Sequence, residues 1–158
     1  MSQAQCEYEQ RLSSLGHTLP SAPPPAAIYQ PFMRSGDQLW VAGQIAVHQG
    51  QLLYQGVVGA DISLEQAGEC AQQCALNLLA QVKAATGRLS SIKRVVKLNV
   101  FVASSSTFTD QHLVANHASA LFGEVFAELG VHARSAVGVA SLPLNSPVEI
   151  DAVFEVTA

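Results

Sequence analysis

Apolar residues recur every three or four positions from residue 64 onward: Leu64, Ala67, Ala71, Cys74, Leu78, Val82 and Ala85 make one stripe that stops at Gly87. This spacing predicts a helix with one buried face. Ser63 and Gln66 stand where a capping box needs them, with the hydroxyl accepting from a free backbone N–H and the amide reaching back. Glu69, Gln72, Gln73 and Gln81 fall on the other side of the helix, which is expected to face solvent. Beyond Leu89 the period changes to two. Val96, Leu98, Val100 and Val102 alternate with Lys97, Asn99 and Phe101, which predicts a central strand with one apolar face.

The helical period returns after Thr107, Phe108, Thr109 and Asp110. Val114, Ala118, Leu121, Phe122, Val125 and Leu129 turn inward, and Gly130 ends the run. Two more strands are predicted over about 134–140 and 148–156, joined by a loop holding Pro143 and Pro147. Upstream, a strand over about 27–34 turns at Ser35, Gly36 and Asp37. It returns as Leu39, Trp40, Val41 and Ala42, closed by Gly43. A short strand over about 51–54 follows. Residues 5–15 read as a short helix, with Tyr8, Leu12 and Leu15 on one side and Gly16 as a stop. The tract from Pro20 to Pro25 then reads as an extended strap, because proline cannot sit inside a helix. The predicted order is β-β-(β)-α-β-α-β-β after the strap, an α+β domain with both helices on one face of a sheet.

Composition changes this picture in one respect. The 158 residues suit one domain, yet only 13% are charged against roughly 25% in an average chain. So little charge suggests that some surface is covered by another copy. The formal charge is −4, and the eight basic residues are dispersed, so no track for a phosphate backbone is offered and no nucleic-acid partner is expected. Three cysteines, Cys6, Cys70 and Cys74, form no disulfide framework, which favours a reducing compartment. The N-terminus has no basic start leading into an apolar run, and no stretch reaches the roughly 20 apolar residues that cross a bilayer. A cytoplasmic protein without a membrane partner is expected.

Several segments are similar to one family. Ser35 and Gly36, followed by the run from Leu39 to Ile45, resemble its glycine-rich second strand. The run Ala133, Arg134, Ser135, Ala136, Val137, Gly138, Val139, Ala140, Ser141, Leu142 and Pro143, followed by Val148, Glu149, Ile150, Asp151 and Ala152, resembles its C-terminal signature. That signature reads A-R-S/T-x-V-x-V-x-x-L-P, then V-E-I-E. Asn116 matches an asparagine in the family's second helix. On these residues the chain resembles the RidA (YjgF) family over residues 27–156. Residues 1–26 are then an N-terminal extension, and 27–158 the RidA-like domain.

The resemblance implies a chorismate-mutase-like fold, a mixed sheet with two helices on one face, assembled as a homotrimer with clefts between subunits. It also implies cofactor-independent hydrolytic deamination of small 2-imino or 2-enamino acids to 2-oxo acids and ammonia. Arg134 would hold the substrate carboxylate, Glu149 would serve the water, Tyr29 and Asn116 would line the pocket, and Gly43 would let the ligand approach the backbone. A trimer that binds small carboxylates without turnover is the alternative. Ala42 stands where many members have serine, Ala136 where many have cysteine or threonine, and Gly138 at a frequently acidic position. Val131 and His132 replace a proline-containing lead into the arginine.

The residues alone leave the roles open. A guanidinium has a planar fork that matches a carboxylate, and Arg134 opens an otherwise apolar strand where a lone charge is costly. A salt bridge or a solvated strand end would also account for it. Glu149 shares its side of the last strand with Asp151 and Glu155, as on a solvated acidic face. Tyr29 also reads as a half-buried strand tyrosine, and Asn116 as an exposed helix position. His132 flanks the arginine, with a surface role as the plainer reading. Cys70 and Cys74 lie four apart, but no further Cys or His stands within a helical turn, so a core role and no metal site are expected.

Overall fold

The computed structural model describes residues 6–158. Helix α1 (Glu7–Ser14) is followed by strands β1 (Phe32–Ser35), β2 (Gln38–Ile45), β3 (Val47–His48) and β4 (Gln51–Leu52). Then come α2 (Leu64–Thr86), β5 (Ile92–Ala103), α3 (Gln111–Phe126), β6 (Ala133–Val139) and β7 (Val148–Val156). The order is the predicted one with one short strand, β3, in addition. The predicted start of the first helix at residue 5 lies outside the described residues.

Five strands form one mixed sheet in the order β1-β2-β7-β5-β6, while β3 and β4 make a separate small hairpin. Only β5 and β6 run parallel, which follows from the crossover through α3. Helix α2 packs on β2 and β7, α3 packs on β5 and β6, and the two helices pack on each other. The core lies between them and one face of the sheet, with Leu39, Val41, Leu98, Val100, Ile150 and Phe154 pointing inward against Leu78, Val82, Leu121 and Phe122.

Helix α2 starts as its sequence requires. Ser63 Oγ accepts from Gln66 N at 3.1 Å, and Gln66 Oε1 accepts from Ser63 N at 3.0 Å. Its polar side departs from expectation. Gln73 and Gln81 are 8% and 2% exposed, and Asn77 is fully buried. The strap and the β2–β3 corner cover this side. Asn77 Nδ2 donates to the carbonyls of Ile45 and Val47, and Gln81 Nε2 donates to Pro23 O at 2.7 Å. These amides are buried because they satisfy backbone groups that no ladder reaches.

Four strand details also differ. The first strand is confined to Phe32–Ser35, and residues 27–31 are irregular. Pro31 has no N–H to give a ladder, though its carbonyl accepts from Ala42 N at 2.9 Å. Strand β2 does not close at Gly43. It continues to Ile45 through a register shift between Val41 and Gln44, a bulge that adds residues on one strand only. A second shift, between Val95 and Lys97, puts Val95 in the core instead of Val96. The short strand after Gly50 ends at Leu52.

Helix α1 docks on α3 by burying Leu12 and setting the Tyr8 ring 4.6 Å from that of Phe126. Arg11 Nη1 donates to Val125 O at 2.8 Å. No helix among the described residues is long and apolar enough to cross a membrane.

Candidate functional site

Arg134 sits on β6, the strand at the sheet edge, opposite Leu98 of β5. Leu98 is buried in the core, so Arg134 leaves the sheet on the helix-bearing side and meets α3. There His112, Asn116 and Ser119 lie on one face of the helix at spacings of about one and two turns. Arg134 Nη1 donates to Asn116 Oδ1 at 3.0 Å and to Ser119 Oγ at 2.9 Å, and Nη2 donates to His112 O at 3.2 Å. All three acceptors are neutral. Among the described residues no carboxylate pairs with Arg134. A guanidinium has five N–H groups, so those left at Nε and Nη2 have no acceptor among the described residues. The salt-bridge reading of Arg134 is thereby removed.

His132 and Ser119 complete this cluster. His132 Nδ1 is 2.6 Å from Gly130 O, and Nε2 is 2.9 Å from Ser119 Oγ. The ring stands edge-on to Phe122 with centroids 6.0 Å apart. Burial holds the imidazole below the ordinary histidine value; the Gly130 carbonyl works the other way, and the Arg134 charge adds to the lowering. Ser119, Gly123, Gly130, Val131, His132 and Arg134 line a cavity of about 290 Å³. The sequence reading missed Ser119 altogether and, for His132, placed a surface role ahead of one in the pocket. The available signal was Ser119 one turn beyond Asn116, together with a histidine two positions before the arginine.

Glu149 faces the other way. It pairs in register with Ile45 and Phe101, between the fully buried Val148 and Ile150. Its carboxyl lies over Gly43, where a Cβ would come within 2.0 Å of Oε1. Burial pushes the Glu149 carboxyl up, and neighbouring Asp151 pushes it further. Asp151 is raised by its own burial, while the hydrogen bond from Asn99 Nδ2 at 2.7 Å and the Lys97 charge hold it back. Tyr29 and Gly43 line a second cavity of about 250 Å³ with Pro23, Pro25 and Gln81. The structure thus brings Arg134 and Asn116 together, and Gly43 with Glu149 and Tyr29. Within one chain it does not join the two groups.

The sheet face that carries Glu149 also shows Trp40 and Met33, 53% and 61% exposed, and Val137. A Cβ at Gly138 would come within 2.8 Å of Ser104 Oγ and Gln111 Nε2, so a side chain there would have to displace these two. Cys70 and Cys74 are buried, Cys74 with its thiol 3.7 Å from Val148 O.

This geometry has known counterparts. The Agrobacterium tumefaciens protein Atu1372, a crystal structure described as of unknown function, superposes with a TM-score of 0.90 at 50% identity, covering 96% of this chain and 93% of that one. Protein TCP17 of Trypanosoma cruzi is 47% identical over 91% of both chains. The 2-iminobutanoate/2-iminopropanoate deaminase of Dermatophagoides farinae is 31% identical over 85% of this chain and 90% of its own. The family described as "YjgF/chorismate mutase-like, putative endoribonuclease" matches residues 9–155. By sequence and by fold, the chain belongs to this YjgF (RidA) family.

Proposed function

We propose that the protein hydrolyses small 2-imino or 2-enamino acids to 2-oxo acids and ammonia without a cofactor, with Arg134 anchoring the substrate carboxylate. The observation that carries this reading is the unpaired guanidinium. Three neutral oxygens fix its plane, and N–H groups at Nε and Nη2 remain for a ligand. A carboxylate accepting both would form the bidentate pair for which arginine is suited. Imine hydrolysis asks little more, since a protonated C=N carbon is already electrophilic and needs an oriented water. The relative named as an iminobutanoate and iminopropanoate deaminase supports the same chemistry.

The reading includes a homotrimer. Arg134 and Asn116 of one copy would face Glu149, Tyr29 and Gly43 of a second copy across a cleft, and the exposed Trp40, Met33 and Val137 would be covered. Nucleic acid does not fit this site. The net charge is −4, and the cavity offers one cation, not the chain of cations that a phosphate backbone needs.

The test is ammonia release from freshly generated 2-iminopropanoate and 2-iminobutanoate. Two hydrogen bonds to a charged group contribute roughly 1.5–3 kcal/mol each, so Arg134→Ala is expected to lose about 100-fold or more. Equal turnover by that variant would overturn the anchor. A second reading, binding of small carboxylates without turnover, is favoured by Ala42 and Ala136, which remove side-chain hydroxyl or thiol groups common in the family. Saturable 2-oxobutanoate binding without any product from the imines would establish it instead.

A further inference from the structure

Ser119 is the side chain that joins Arg134 to His132. A backbone carbonyl can only accept, so the hydrogen bond to Gly130 O places the proton of the neutral imidazole on Nδ1. Nε2 is then the accepting nitrogen, and the Ser119 hydroxyl donates to it across 2.9 Å. The same oxygen accepts from Arg134 Nη1 at 2.9 Å. A serine oxygen has two lone pairs, and the second is left for a molecule in the cavity that Ser119 lines. The hydroxyl is therefore oriented at both ends, beside a base that is itself oriented.

We propose that Ser119 and His132 form a proton relay for the water that attacks a 2-imino acid held by Arg134. The proposal rests on the deaminase reading above and adds the base to it. Both groups line the cavity that Arg134 opens into, on the same side of the sheet, whereas Glu149 of the same chain lies on the other side. The relay is complete within one chain.

The steps balance as follows. Water forms a C–O bond to C2 of the protonated imine, and the C=N electron pair moves onto nitrogen. The proton lost by the water passes to Ser119 Oγ as the Ser119 proton passes to His132 Nε2. The imidazolium returns its proton through Ser119 to the amino nitrogen, which becomes a leaving group. The C–N bond breaks as the hydroxyl oxygen forms its double bond to carbon, and the hydroxyl proton leaves with ammonia as ammonium. No oxidant, metal or cofactor enters.

A base must be neutral at working pH, and the surroundings of His132 keep it so. Ser119 and Phe122 face it from α3, Gly130 from the preceding turn, and Arg134 from β6, the charged group among these. Burial and that charge hold the imidazole below the ordinary histidine value.

The experiment compares wild type with Ser119→Ala, His132→Gln and Ser119→Thr on 2-iminobutanoate across pH, with 2-oxobutanoate affinity measured in parallel. General-base removal is expected to cost about 100-fold or more in kcat for Ser119→Ala and His132→Gln. The affinity of His132→Gln for 2-oxobutanoate should hold, since His132 makes no bond to Arg134, and Ser119→Thr, which keeps the hydroxyl, should recover the rate. Wild-type kcat should fall as pH drops through the His132 titration, and His132→Gln should lose that limb. Wild-type turnover with unchanged rates and an unchanged limb in both variants would overturn the relay alone. No acceleration by wild type would overturn the relay together with the deaminase reading.

Discussion

Arg134 and Glu149 leave one sheet in opposite directions. Arg134 stands opposite the buried Leu98 and turns toward α3, while Glu149 stands opposite Phe101 and turns toward Gly43. The two side chains can serve one substrate only if they come from different copies. In the proposed trimer, Arg134→Ala and Glu149→Gln should each be slow. Mixed oligomers, assembled from both variants, should recover part of the activity, because some clefts then carry an intact pair. Ammonia release after co-refolding measures this, and a mixture no faster than its parents would separate Glu149 from the Arg134 site.

Glu149 should also couple stability to pH. Its carboxyl is raised in the folded chain by burial and by Asp151. A raised group contributes stability that is full below the unfolded value, about 4.3, and is lost as pH rises through the folded value. Glu149→Gln mimics the neutral acid and escapes that loss. Thermal melts should therefore coincide near the acid end of this window, with the variant melting increasingly above wild type as pH rises toward neutrality.

Gly43→Ala tests the close approach directly. Its new Cβ would meet Glu149 Oε1 at 2.0 Å and Cδ at 2.9 Å, so the carboxylate must swing away. Because a flexible side chain yields, stability should change by only about 1 kcal/mol. The rate should fall as far as it does in Glu149→Gln. Denaturant midpoints and kcat measured on the same preparation decide between a local shift and a damaged sheet.

Asn77 anchors the end of β2 by donating to two carbonyls, of Ile45 and Val47, from a fully buried position. Asn77→Ala leaves both without that donor. A buried acceptor left unsatisfied costs about 1–3 kcal/mol, so urea unfolding should report a loss of at least about 2 kcal/mol.

The thiols should divide by burial. Burial and the Glu69 charge push Cys70 up to about 12, and burial pushes Cys74 well up too, whereas Cys6 is partly exposed. Iodoacetamide at mildly alkaline pH should label Cys6 in the folded chain and leave the other two for denaturant, as read by mass spectrometry.

What the sequence showed and what it hid follow from the range of the signals. The helix over 64–86 was legible because its cap and stripe are local; the cap is present as read, and the stripe is buried from Ala67 to Val82 while Leu64 at its start is exposed. Gln73 and Gln81 were misplaced because what covers them, the strap and the β2–β3 corner, is distant in sequence. Val96 was taken for the core because a period of two cannot register the shift that follows Val95. At the site, the link from Arg134 to Asn116 was anticipated only through resemblance. Ser119 escaped notice and His132 was read first as a surface residue, because their pairing requires α3 to lie across β6, which no local pattern encodes.

The bulge in β2 has an evolutionary consequence. Before it, odd-numbered residues such as Leu39 and Val41 face the core; after it, Gln44 and Ala46 do. The chain changes parity at Ala42 and Gly43. Loss of a single residue there would carry Gln44 and its successors to the opposite side, lifting the floor from beneath Glu149 and pulling the β2–β3 corner away from Asn77. Substitution at Ala42 is therefore open to drift, Gly43 is held by the carboxyl of Glu149 beside it, and insertions and deletions are closed to both. Descendants of this chain should vary at Ala42, keep Gly43 and hold the length of the segment.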